Sequence, residues 1–103
     1  MQSKGMFVYK SLTYRGAGVF QNDEGKDVNY PAAYILKVDE ITEDGEINQR
    51  KFKVPEKATK LINDIKSFEA YDKIVLVFKI TLYDTRCSIE VVDVEPYVEV
   101  DDI

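Results

Sequence analysis

Histidine is missing from this sequence altogether, and cysteine occurs once, at Cys87. Without histidine there is no Ser-His or Cys-His nucleophile pair, and the commonest general base is gone. A cysteine/histidine zinc site is excluded as well, and a lone cysteine forms no internal disulfide. Long apolar runs are also missing. None approaches the roughly 20 residues of a membrane span, and the opening MQSKGMFVYK has no secretory apolar region, so the expected location is the cytoplasm, away from membranes. The nearest thing to a glycine-rich phosphate loop, Gly16-Ala17-Gly18, is not followed by a helical pattern and lacks the Lys-Ser/Thr of a nucleotide cradle. The carboxylates are many but scattered. The sequence therefore reads as non-enzymatic, with no metal and no cofactor.

What is present describes an ordinary globular chain. Its 103 residues suffice for one domain with a modest core, and 45% hydrophobic with 32% charged residues is not the composition of a disordered segment. The net charge of −5 is unevenly spread. From Glu95 onward the chain reads EPYVEVDDI, with four acids and no base, which leaves 15 acids against 14 bases in the remainder. Residues 1–97, with 16 acids against 14 bases, read as a nearly neutral domain and 98–103 as an acidic tail. Glu99, Asp101, Asp102 and Ile103 would dock a protein partner, compete for a basic groove, or simply solvate the terminus.

Two apolar runs, DKIVLVFKITL and CSIEVVDV, flank the polar break Tyr83-Asp84-Thr85-Arg86 and predict a long closing hairpin. Ile74, Leu76, Phe78, Ile80 and Leu82 share one face by alternation, while Val75, Val77, Lys79, Thr81 and Tyr83 share the other. The second run slips register at Val91-Val92, as a bulge requires. Upstream, Met6 to Tyr14 is an expected strand with Phe7 and Tyr9 on one side and Val8, Leu12 and Tyr14 on the other. Gly16 and Gly18 are expected to bend this strand, which continues through Val19-Phe20 to a polar loop at NDEGK. Val28 to Ile41 is the next expected strand, interrupted near its start by Pro31. Asp44-Gly45 then marks a hairpin turn into Ile47–Val54, whose Gln49, Lys51 and Lys53 oppose Arg50, Phe52 and Val54. Pro55 suits a first helical position, and Ala58, Leu61, Ile62, Ile65 and Phe68 fall at helical spacing.

A long bent strand, a hairpin, one helix and a second hairpin make a mainly β chain. The order fits a five-stranded, antiparallel OB-fold-like barrel with one α-helix between strands three and four. A helix across an open antiparallel sheet uses the same elements.

The opening YRGAGVFQNDEGKDVNYPAAY, the helix PEKATKLINDI and the closing VLVFKITLYDTRCSIEVVDVEPY resemble, in layout and spacing, the small single-stranded-DNA-binding proteins of bacteriophages and Gram-positive integrative conjugative elements. That resemblance spans Phe7 to Tyr97. It implies a protein that protects single-stranded DNA, with little sequence preference, during phage or mobile-element replication or transfer. The ending Asp101-Asp102-Ile103 is similar, in miniature, to the acidic tip of bacterial single-strand binders, though no long glycine-rich linker precedes it.

The residues support the same expectation independently. Single strands are held by aromatic rings beneath bases and by cations along the phosphates. Here Tyr14 adjoins Arg15, Phe20 follows the glycine bend, and Tyr30 and Tyr34 lead into Lys37. Lys51 and Lys53 flank Phe52, Lys79 shares a strand face with Tyr83, and Tyr83 and Arg86 bracket the last turn. Tyr34 and Phe52 also share parity with apolar neighbours, as core residues would. The competing expectation is a non-enzymatic protein-interaction module, pairing with its own copy through Val75 and Val77 or presenting its Tyr and Val residues to another protein.

Overall fold

The computed structural model describes residues 1–98. In chain order its elements are β1 (Gln2–Arg15), β2 (Gly18–Gln21), β3 (Asp27–Tyr30), β4 (Ala33–Ile41), β5 (Ile47–Pro55), α1 (Thr59–Lys66), β6 (Lys73–Leu82) and β7 (Cys87–Pro96). The chain is mainly β. Five strands form one antiparallel sheet in the order β5-β4-β1-β6-β7, and β2 and β3 form a separate two-stranded ribbon.

β1 is the hub because it is long enough to serve two partners. Its first half pairs with β6, from Gln2 opposite Lys79 to Val8 opposite Lys73, and its second half pairs with β4, from Val8 opposite Asp39 to Arg15 opposite Ala33. A bulge at Lys10 interrupts the β1–β4 ladder, between Tyr9 opposite Val38 and Ser11 opposite Lys37. The extra residue shifts the alternation, so Leu12 and Tyr14 lie on the same side as Phe7 and Tyr9, not on the opposite side as unbroken alternation requires. The bulge at Val92 on β7 is the one the sequence anticipates: Val77 faces Asp93 and Phe78 faces Val91, leaving Val92 unpaired.

Strict alternation on β4, β5 and β6 builds the core. Leu36, Val38, Val54, Ile74, Leu76 and Phe78 point inward with Phe7 and Tyr9, and Leu61, Ile62 and Ile65 of α1 cover them. The rings of Phe7, Phe52 and Phe78 meet at centroid distances of 6.0, 5.9 and 5.2 Å. Because β5 and β6 are not neighbours in the sheet, contact between Phe52 and Phe78 requires the sheet to curl over its inner face. β5 and β7, the two ends of the order, approach across a cleft of about 260 Å3 lined by Phe52, Lys53 and Ser88 to Val91. Among the described residues no ladder joins them.

Three expectations are corrected. The first strand does not continue past the glycines: it ends at Arg15, and Gly18 opens the β2–β3 ribbon instead. The reason is a close approach, since a Cβ on Gly18 would lie 2.2 Å from the Tyr30 hydroxyl. The strand expected over Val28 to Ile41 is two strands, divided at Pro31-Ala32. The helix starts at Thr59 rather than Pro55, because Pro55 ends β5 opposite Ala33 and its carbonyl accepts from Ala58 N–H at 3.0 Å in a turn.

Both polar loops are built alike. Asn22 and Thr42 open them, each carbonyl accepts from a glycine three residues on at 2.9 Å, and Gly25 and Gly45 adopt φ of 76° and 83°. A left-handed glycine after a tight turn is the geometry that closes such hairpins, and Asp44-Gly45 announces it. The molecule measures 60 × 32 × 26 Å with a radius of gyration of 15.9 Å, above the roughly 13 Å of a compact chain this size. No helix among the described residues is long and apolar enough to cross a membrane.

Candidate nucleic-acid interface

The outward face of β1, β4 and β5 is set by the register of their ladders. Lys37 of β4 lies directly opposite Lys51 of β5, with Ser11 of β1 on its other side; one row along, Ile35 lies opposite Lys53 and Thr13. Like charges placed opposite each other destabilise a sheet unless something neutralises them. Among the described residues no carboxylate lies within ion-pair distance of Lys37, Lys51 or Lys53. The ion pairs present are Lys4–Glu95, Lys10–Asp39, Lys26–Glu24, Arg50–Glu40 and Lys60–Asp64. Asp39, on the same outward face as Lys37, is engaged by Lys10 at 3.5 Å, and Glu40 by Arg50 at 2.8 Å on the inward side. Asp39 and Glu40 are therefore engaged elsewhere, and Lys37, Lys51 and Lys53 are left without an ion-pair partner among the described residues.

One end of this face meets the β2–β3 ribbon. Arg15, the last residue of β1, donates from Nη2 to the Pro31 carbonyl at 3.1 Å and holds its guanidinium 4.8 Å from the Tyr30 ring centroid. Its Nε is buried without a partner. Phe20 follows in the same stack, its centroid 6.1 Å from that of Tyr30 at an interplanar angle of 33° and its ring 51% exposed. Gly18 makes room beneath Tyr30. A cation, a half-covered ring and an exposed ring are thus aligned next to a cationic strand face.

The expected residues divide into three groups. Arg15, Phe20, Tyr30, Lys37, Lys51 and Lys53 come together as described. Tyr14 and Tyr34 face each other across the β1–β4 ladder at 5.3 Å, edge to face, on the inward parity. Tyr34 is partly buried against the core with Lys66 5.2 Å over its ring, at the core edge, while Tyr14 is exposed. Lys79, Tyr83 and Arg86 form the third group, carried on the distal part of the β6–β7 hairpin. Lys79 is opposite Gln2, at the other end of β1 from Arg15. Tyr83 N–H donates to the Arg86 carbonyl at 2.7 Å, closing the turn, and its side chain is 60% exposed.

Pairing through Val75 and Val77 is not favoured by the packing. Val77 is only 6% exposed, and the Lys4–Glu95 ion pair joins the residues facing Val77 on β1 and Val75 on β7. The apolar surface left bare is instead on the inward parity of the same hairpin, beyond the core: Leu82 is 68% and Ile89 57% exposed. Two residues next to the cationic face were hidden by the misplaced helix start. Glu56 and Lys57 sit in the turn after β5, not on a helix, and the hydrogen-bonding role of the Pro55 carbonyl gives no sequence signal. Glu99, Asp101, Asp102 and Ile103 lie outside the described residues.

Among the described residues two side chains have clearly displaced titrations. Burial pushes the Tyr9 hydroxyl above its ordinary value, and the hydrogen bond from Lys60 to Asp64 raises the Lys60 ammonium. Neither belongs to the cationic face. The chain matches no protein-family model and no curated protein.

Proposed function

We propose that this chain binds single-stranded DNA with little sequence preference and protects it during phage or mobile-element replication or transfer in the cytoplasm. The observation that carries this reading is the opposed Lys37 and Lys51 with Lys53 beside them, without an ion-pair partner among the described residues and next to the Arg15–Tyr30–Phe20 stack. A sheet that places like charges together without neutralising them is suited to an anionic partner. Rings interleaved with those cations suit one whose bases are unpaired. Among the described residues the one helix, α1, has only eight residues, short for a helix that reads a major groove.

The strand order supports an OB-fold-like barrel with an open seam between β5 and β7. In such a barrel the faces of the second and third sheet strands and the loops joining the first strand to the second and the fourth to the fifth form the binding surface. Here those correspond to β4, β5, the connection that carries the β2–β3 ribbon, and the turn from Tyr83 to Arg86. The acidic tail would act as a competitor for this face or as a docking point for a protein partner.

Gel shifts with labelled oligo-dT and a duplex control test the reading. Oligo-dT should bind better than duplex, and affinity should fall linearly in log salt between about 50 and 200 mM, with a slope of about 0.7 per neutralised phosphate. Equal or tighter duplex binding would sink it. A second reading, a protein-interaction module or homo-oligomer, is favoured by the exposed Leu82 and Ile89. Sedimentation at several concentrations with and without Leu82→Ser separates the two, because self-association through that surface would be lost in the variant.

A further inference from the structure

A groove opens where the β3–β4 connection meets the end of β5. Its volume is about 600 Å3, within the roughly 300–1,000 Å3 of small-molecule sites. Pro31, Ala32 and Pro55 supply apolar walls, and Lys53, Glu56 and Lys57 stand at its polar edge. Each wall is fixed. Arg15 holds the Pro31 carbonyl at 3.1 Å, Ala33 pairs with Pro55 across the ladder, and the Ala58 N–H bond to the Pro55 carbonyl at 3.0 Å holds Glu56 and Lys57 at the corner of a turn. The groove is therefore continuous with the cationic face, one row beyond Lys53.

We propose that this groove receives one unstacked guanine of the bound strand, read by the Glu56 carboxylate. The inference rests on the single-strand-binding reading and adds one position of preference to an otherwise sequence-tolerant face. Apolar walls suit the faces of a base. The only groove side chain able to accept hydrogen bonds is Glu56, which is exposed and has no ion-pair or hydrogen-bond partner among the described residues despite lying between Lys53 and Lys57 in sequence. An ionised carboxylate only accepts, and it binds best to two parallel N–H groups. Guanine alone presents two adjacent donors, N1–H and the N2 amino group, on its Watson–Crick edge. Adenine and cytosine set a ring acceptor beside their amino group, and thymine sets its one N–H between two carbonyls; each of these opposes a carboxylate. Lys53 and Lys57 would take the flanking phosphates and offset the repulsion between Glu56 and the strand.

Fluorescence anisotropy distinguishes this from the parent reading. The probes are oligo-dT strands about 12 nucleotides long, carrying at the centre dT, dG or deoxyinosine, which lacks only the N2 amino group. The dG strand should bind about tenfold more tightly than the all-dT strand, with deoxyinosine between them. Glu56→Gln should abolish the dG preference while keeping or raising affinity for oligo-dT, and Ala32→Leu, which fills the groove, should abolish it too; melting curves establish that both variants are folded. Equal affinity for the dG and dT strands, or a preference that survives Glu56→Gln in folded protein, overturns the guanine site alone. Failure of every single strand to bind overturns the functional reading and this inference with it.

Discussion

Lys37 and Lys51 occupy directly opposite positions on adjacent antiparallel strands, and neither has a carboxylate partner among the described residues. The pairing costs the fold something, and Lys53 lies on the same strand face as Lys51. Function and stability should therefore respond to its removal in opposite directions.

Lys51→Glu should raise stability, since it turns a repulsive cross-strand pair into an attractive one worth roughly 0.2–1 kcal/mol. The same change should weaken oligo-dT binding and lower the salt slope by about 0.7 for the lost phosphate contact. Urea melts and salt-dependent anisotropy on one preparation check both. A more stable protein with undiminished affinity would remove this face from the site.

The ribbon supplies the second contrast. Phe20 is half exposed, outside the core, and stacks beside Tyr30, so Phe20→Ala should leave the melting temperature nearly unchanged while losing a stacking platform, roughly 1–3 kcal/mol of binding. Gly18→Ala should also weaken binding, because the added methyl would have to displace the Tyr30 ring. If the two variants bind oligo-dT like the parent, the aromatic stack has no part in it.

Tyr83 sits on a hairpin arm at the far end of β1 from Arg15, and its ring packs on nothing in the core. Tyr83→Ala should therefore cost little stability. Its binding loss, roughly 1–3 kcal/mol where a base stacks on it, should appear with long oligonucleotides and shrink with short ones that occupy only the ribbon end. Lys79→Ala should have a smaller effect confined to the salt slope. A length series of oligo-dT measured on each variant decides whether the arm belongs to the same binding track.

The raised Tyr9 titration predicts an alkaline limit to stability. The unfolded chain loses this proton near pH 10 and the folded chain only above that, so the unfolded state binds fewer protons and stability falls as pH rises past about 10. The contribution is fully present below that pH. Tyr9→Phe should flatten the decline above about pH 10, where the slope from one group reaches at most about 1.4 kcal/mol per pH unit. Denaturant midpoints at several pH values measure it, and identical slopes for both proteins would show that the hydroxyl titrates alike in the two states.

Much of this molecule was legible in the chain because alternation and turn chemistry are local. The inward set Ile74, Leu76 and Phe78, the opposed faces of β5, the Asp44-Gly45 turn and the bulge at Val91-Val92 all follow from neighbouring residues constraining one another. The bulge at Lys10 did not, since Lys10 looks like an ordinary outward lysine until Asp39 and Tyr71 draw it to 3.5 and 4.8 Å. Its register shift moved Leu12 and Tyr14 to the inward side. The end of β1 at Arg15 and the late start of α1 were likewise decided by distant partners, the Tyr30 ring over Gly18 and Ala33 opposite Pro55. The sequence determined that lysines and aromatic residues alternate along the chain. Only the sheet order decided that Lys37 faces Lys51 and that Tyr30 lies under Arg15, because those meetings join segments 14 and 15 residues apart and depend on which strands pair, which no local pattern encodes.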